Sequence, residues 1–82
     1  MTDQERERFM AGRERYGKAL SLAWKHRIYF FRVYRELPCG GRSKTRYYQA
    51  HKLLPDGRWI KFITPSASES IERVAAELGV AL

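Results

Sequence analysis

Aromatic rings interleaved with Arg, Lys, Gln and His are the chemistry-bearing pattern of this chain. Tyr34, Tyr47 and Trp59 offer π-faces, and Arg32, Gln49, His51 and Lys61 stand among them at strand-like spacing. Rings stack on bases at about 1–3 kcal/mol each, while neighbouring Arg or Lys neutralise phosphates. Gln, Arg and Lys also reach base edges in a major groove. A second group is Gly40-Gly41-Arg42-Ser43-Lys44-Thr45-Arg46. Read as a Gly-started hairpin loop, its three cations and two hydroxyls suit phosphate contact. It lacks the spacing of a Walker loop, and a plain solvated loop is its other account. A third group, Arg13, Arg15, Lys18, Lys25 and Arg27, partly shares one helix face, as a groove-inserting helix requires. The polar outer face of an ordinary surface helix explains that group more simply.

Nucleophile, acid–base and metal patterns are weaker. His26 and His51 fall on different elements, and neither sits in a metal-ligand or nucleophile motif. Cys39 lies between Pro38 and Gly40 with no redox pattern around it. Glu36 and Asp56 read as strand-end and turn residues rather than a paired acid and base. The expectation is binding rather than catalysis, with no cofactor and no metal.

Charge says which part of the chain does the binding. The 82 residues carry 16 Lys plus Arg against 9 Asp plus Glu, a net +7. Residues 13–61 hold thirteen basic residues against Glu14, Glu36 and Asp56, a local +10, and both flanks are weakly acidic. Such a field favours nucleic acid or an acidic protein surface. Hydrophobic residues are 44% of the chain, too many for a disordered tail. The length suits one small domain, residues 1–82. One cysteine cannot form an internal disulfide and fits a reducing compartment. No apolar run nears the roughly 18 residues of a membrane span, and the start has no signal-peptide core. A cytoplasmic setting without membrane contact is expected.

Elements must hold these groups. Thr2 and Glu5 have capping-box spacing, and Phe9, Tyr16, Leu20 and Ala23 or Trp24 make one apolar stripe of a helix. Gly12 and Gly17 predict frayed first turns, with the firm part near residues 13–25. Ile28 to Tyr34 is dense in aromatic and β-branched residues and predicts a strand, ended by Pro38-Cys39-Gly40-Gly41. A second strand is expected over Thr45 to Leu54 and a third over Arg58 to Thr64, joined by Pro55-Asp56-Gly57 in a bulged type I turn. Ser66 with Glu69 caps a last helix whose apolar face is Ala67, Ile71, Val74, Ala75 and Leu78. Gly79 ends it, with Val80 and Leu82 folding back onto the core. The fold class is α+β: an N-terminal helix, a three-stranded antiparallel sheet, and a C-terminal helix packed on one sheet face.

The bulged turn pairs Leu54 with Arg58, Leu53 with Trp59, and Ala50 with Phe62. Tyr48, Ala50, Leu54, Ile60 and Phe62 then share the core face. Tyr47, Gln49, His51, Trp59 and Lys61 share the other. In the first strand Tyr29, Phe31 and Val33 are assigned to the core face, and Phe30, Arg32 and Tyr34 to the second. Either that second face is open, or the N-terminal helix covers it with Tyr16, Leu20 and Trp24.

Asp56-Gly57-Arg58 before a strand holding Phe62 and Thr64, with Ser68 and Ser70 after it, looks like the arm-binding domain of tyrosine recombinases. The plant ethylene-response-factor domain has a similar layout. The resemblance implies a sheet that enters the major groove of DNA. The N-terminal helix and the Gly-Gly segment depart from that pattern, so the likeness is one of layout.

Two functional classes follow. The first is a nucleic-acid-binding domain, DNA ahead of RNA, using Arg32, Tyr34, Arg42, Lys44, Arg46, Tyr47, Gln49, His51, Trp59 and Lys61. The second is a small basic adaptor or phage-type inhibitor that docks these residues on an acidic or nucleic-acid-handling protein. A homodimer would also occupy exposed aromatics.

Overall fold

A computed structural model describes residues 2–80, so the expectation for Leu82 lies outside the described residues. The element order is α1 (Asp3–His26), β1 (Tyr29–Glu36), β2 (Arg42–Leu53), β3 (Trp59–Thr64) and α2 (Ala67–Glu77). The strands form an antiparallel meander in the order β1-β2-β3. The fold class is the α+β layout that the sequence predicts.

Local chemistry explains the ends of each element. The Thr2 hydroxyl accepts from the Glu5 N–H, and the Glu5 carboxylate accepts from the Thr2 N–H, both at 3.2 Å. Those bonds, with Asp3 and Glu5 on the positive helix end, hold the first turn. The helix therefore runs unbroken through Gly12 and Gly17, and the expected fraying is absent. Arg27 ends α1 in the left-handed region at φ 53°, and the Ile28 N–H reaches back to the Ala23 carbonyl at 2.8 Å. At the other end of the chain Gly79 turns left-handed after α2, at φ 76°.

The Pro55-Asp56-Gly57 turn sets the β2–β3 register. Gly57 takes φ 88°, the Leu54 N–H donates to the Arg58 carbonyl at 2.8 Å, and Leu53 pairs Trp59 while Ala50 pairs Phe62. This is the register expected from the turn. The β1–β2 connection differs from expectation. Strand pairing continues through Arg35 with Ser43 to Glu36 with Arg42, so β2 begins at Arg42 rather than Thr45. The loop shrinks to Leu37–Gly41, closed by Leu37 N–H to Gly41 carbonyl at 2.9 Å. The Arg42–Arg46 segment is strand, not loop.

α2 packs on the sheet with Ile71, Val74 and Ala75 fully buried over Ala50. Phe30, Ile60 and Phe62 close that core from the sheet side. Phe30 and Arg32 pair Ala50 and Tyr48, so they lie on this covered face, and Tyr29 and Phe31 on the other. That reverses the β1 assignment drawn from sequence. A run of four apolar residues, Ile28 to Phe31, has no polar alternation to show which parity is buried, and one residue of slip exchanges the faces. A hydroxyl network seams α2 to the sheet. Thr64 and Ser70 hydroxyls lie 2.7 Å apart and reach the Ser66 and Tyr48 carbonyls at 2.6 and 2.9 Å.

α1 packs on α2 rather than on the sheet. Its contact uses the small residues Ala19 and Ala23 with Leu22, while Phe9, Tyr16, Leu20 and Trp24 of the expected stripe stay exposed. Arg15 makes a paired ion bridge to Glu72 of α2 at 2.8 and 2.7 Å, and the Lys52 ammonium caps the His26 carbonyl at 2.6 Å. The result is flat, 47 × 42 × 15 Å, with one sheet face left uncovered among the described residues.

Candidate nucleic-acid interface

The uncovered face is built from alternate residues of all three strands. Tyr29 pairs His51, and His51 pairs Lys61; Phe31 pairs Gln49, and Gln49 pairs Ile63. Leu53 and Trp59 form the next pair along. The His51 ring is the hub. It stacks against Tyr29 at 5.9 Å between centroids, meets Phe31 edge-on at 5.8 Å, and leans on Trp59 at 5.5 Å. Despite these contacts Tyr29, Phe31 and Trp59 remain 64%, 48% and 62% exposed, so each keeps a ring surface for a further partner. Gln49, His51, Trp59 and Lys61 line a shallow groove on this face.

Beside the face runs a basic arm. Past Arg32 the β1–β2 ladder bulges: Tyr34 pairs Lys44, so Thr45, Arg46 and Tyr47 oppose Val33 alone. Thr45 stabilises the bulge, its hydroxyl donating to the Val33 carbonyl at 2.7 Å and accepting from the Tyr47 N–H at 3.2 Å. From Tyr34 to Tyr47 every residue except Thr45 is exposed. The arm carries Arg35, Arg42, Lys44 and Arg46 against the single acid Glu36. The Arg46 guanidinium lies over the Tyr47 ring at 5.4 Å.

Ion pairing divides the cations into two groups. Arg15, Arg58 and Arg73 are held by Glu72, Asp56 and Glu69. Arg58 keeps the Asp56 carboxyl below its ordinary range through its backbone N–H and then its guanidinium. The Arg15 bond likewise lowers Glu72 and raises Arg15. Among the described residues Arg35, Arg42, Lys44, Arg46 and Lys61 make no ion pair. Their charge is available to a ligand.

Of the residues expected from sequence, Gln49, His51, Trp59 and Lys61 come together on the open face. Tyr34, Arg42, Lys44, Arg46 and Tyr47 come together on the arm. Arg32 does not join them: it lies on the covered face with its guanidinium over the Tyr48 ring at 5.2 Å. Sequence reasoning missed Tyr29 and Phe31, which make up much of the open face, and Arg35 on the arm. The signal for the two rings was the β1 parity, which only the pairing of Phe30 with Ala50 supplies. Of the helical cations, Arg15 is used in α1–α2 packing. Comparisons of the chain with protein-family models, curated proteins and solved structures find no match.

Proposed function

We propose that this protein is a nucleic-acid-binding module, DNA ahead of RNA, acting through the open sheet face and the basic arm. Binding rather than catalysis is part of the proposal. The supporting observation is the uncovered face itself: three exposed rings around His51, beside cations that make no ion pair among the described residues. Rings of this size left in contact with water gain by stacking on a flat apolar partner, and bases are such partners. Arg35, Arg42, Lys44, Arg46 and Lys61 then meet phosphates, releasing counterions. The preference for DNA comes from the helix-backed meander, the layout of domains that read DNA with a sheet.

A titration with labelled single strands and duplexes at low salt tests the reading. Binding that weakens steeply as salt rises is expected, and no binding at low salt to any of them would refute it.

A second reading, a small adaptor or inhibitor that docks on an acidic protein, is favoured by one observation. Phe9, Met10, Tyr16, Leu20 and Trp24 are exposed along α1, where nucleic acid needs no apolar surface. A stoichiometric protein partner that survives nuclease treatment and is lost in Trp24→Asp would favour this reading. Light scattering separates it from self-association.

A further inference from the structure

We infer that the open face takes single-stranded nucleic acid, its unpaired bases stacking on Tyr29, Phe31 and Trp59 while its phosphates follow Lys61 and the arm. The inference rests on the nucleic-acid reading above and names its substrate class. A sheet that enters a major groove must carry long polar side chains at its centre, because the groove presents donors, acceptors and the thymine methyl. On this face three exposed rings and Ile63 stand on the edge strands around His51 and Leu53 of the central strand, and among the described residues its only long polar side chains are Gln49 and Lys61. Against a duplex those rings would be buried on sugar and phosphate edges. A single strand instead offers a π-face at every nucleotide.

Spacing supports the same occupant. Tyr29 and Trp59 stand two strands across and two residues along from each other, roughly 12 Å at the backbone from ordinary sheet dimensions. Nucleotides lie about 3.4 Å apart when stacked and further when splayed, so three or so consecutive bases span the two rings. Phe31 extends the path past Tyr29 on the same strand and face, on the side away from Trp59 and toward the arm. The arm leads away from this platform with its cations exposed and without ion pairs among the described residues, so they are available to the strand's phosphates. Layout alone suits a duplex. The side chains on it suit unpaired bases.

Trp24 is 89% exposed on α1, where it lines one groove with Tyr29, and Trp24→Phe keeps a ring there while leaving Trp59 the single indole. That protein is titrated at low salt with a mixed-sequence DNA strand of about 12 nucleotides, with the RNA of the same sequence, and with the DNA duplex. Quenching of the Trp59 emission by a single strand, and tighter binding of that strand than of the duplex, are expected. The stronger of the two single strands identifies DNA or RNA as the source. In the otherwise unaltered chain, Trp59→Ala or Phe31→Ala should weaken single-strand binding roughly 5- to 100-fold, measured by anisotropy of a labelled strand. A duplex bound as tightly as the single strand, with no quenching, overturns the inference and leaves the nucleic-acid reading standing. No binding of any of the three overturns both.

Discussion

Replacing Arg42, Lys44 and Arg46 together by Gln removes three of the five cations that stand unpaired on the arm and open face. The predicted effect is a change in salt dependence more than in affinity at one salt concentration. Five single-strand phosphate contacts at about 0.7 each give a slope of log K against log salt near −3.5, and two contacts leave about −1.4. Between 50 and 200 mM salt the parent should lose affinity by about 130-fold and the variant by only about 7-fold. All three side chains are exposed, so folding should survive, and circular dichroism checks that. The comparison protein lacks Arg58 and Arg73, whose charges Asp56 and Glu69 already hold. Its slope should stay near the parent's even though its net charge falls. Fluorescence anisotropy over a salt series measures all three slopes. An unchanged slope in the arm variant would refute the arm as the phosphate track. Equal flattening in the comparison protein would reduce the effect to bulk charge.

Two further outcomes concern what holds the face open. Ser70 is fully buried and shares two hydroxyl protons with Thr64 among three short contacts, so Ser70→Ala leaves the Tyr48 carbonyl without its side-chain donor. A loss of about 1–2 kcal/mol is expected, read by urea unfolding. Glu72→Gln breaks the bridge that ties α1 to α2, at a cost of up to about 1 kcal/mol near neutral pH because Arg15 is largely exposed. Arg15 lowers the Glu72 pKa in the folded protein, so the bridge contributes fully above the ordinary carboxylate range and is lost as pH falls through the lowered value. Thermal melts of parent and variant should therefore converge in acid, and a difference that persists there would contradict the assignment.

How much of this was legible in the sequence depended on whether a feature is settled locally. Pro55-Asp56-Gly57 fixes its own geometry: the Asp56 carboxylate accepts from the Arg58 N–H at 3.0 Å and Gly57 takes the left-handed angle, so the β2–β3 register followed from three residues. The Ser66 cap is equally local, its hydroxyl accepting from the Glu69 N–H. Parity in β1 is not local. Its buried side is decided by Ala50 and α2, far along the chain, and so Arg32 and the Tyr29–Phe31 pair were exchanged. The α1 stripe misled for a related reason. Periodicity identifies a helix and its apolar positions, but it cannot say which of them meets a partner. Close approach to α2 needed small residues, and Ala19 and Ala23 supplied them while the larger side chains stayed outside.

These two exchanges bear on function together. Had α1 packed with its large residues, the natural surface for them was the second sheet face, and the rings of that face would have been core. Because α1 docks through alanines on α2, nothing in the chain covers Tyr29, Phe31 or Trp59 among the described residues. Placing Arg32 on the covered side removes a cation from the β1 edge of the open face and puts two rings in its stead. The face thereby shifts from a mixed basic surface, which would suit groove edges or an acidic protein equally, to an aromatic platform with charge gathered at its side. Separate zones for rings and for cations match a ligand whose bases and phosphates are themselves separated, as they are along an unpaired strand.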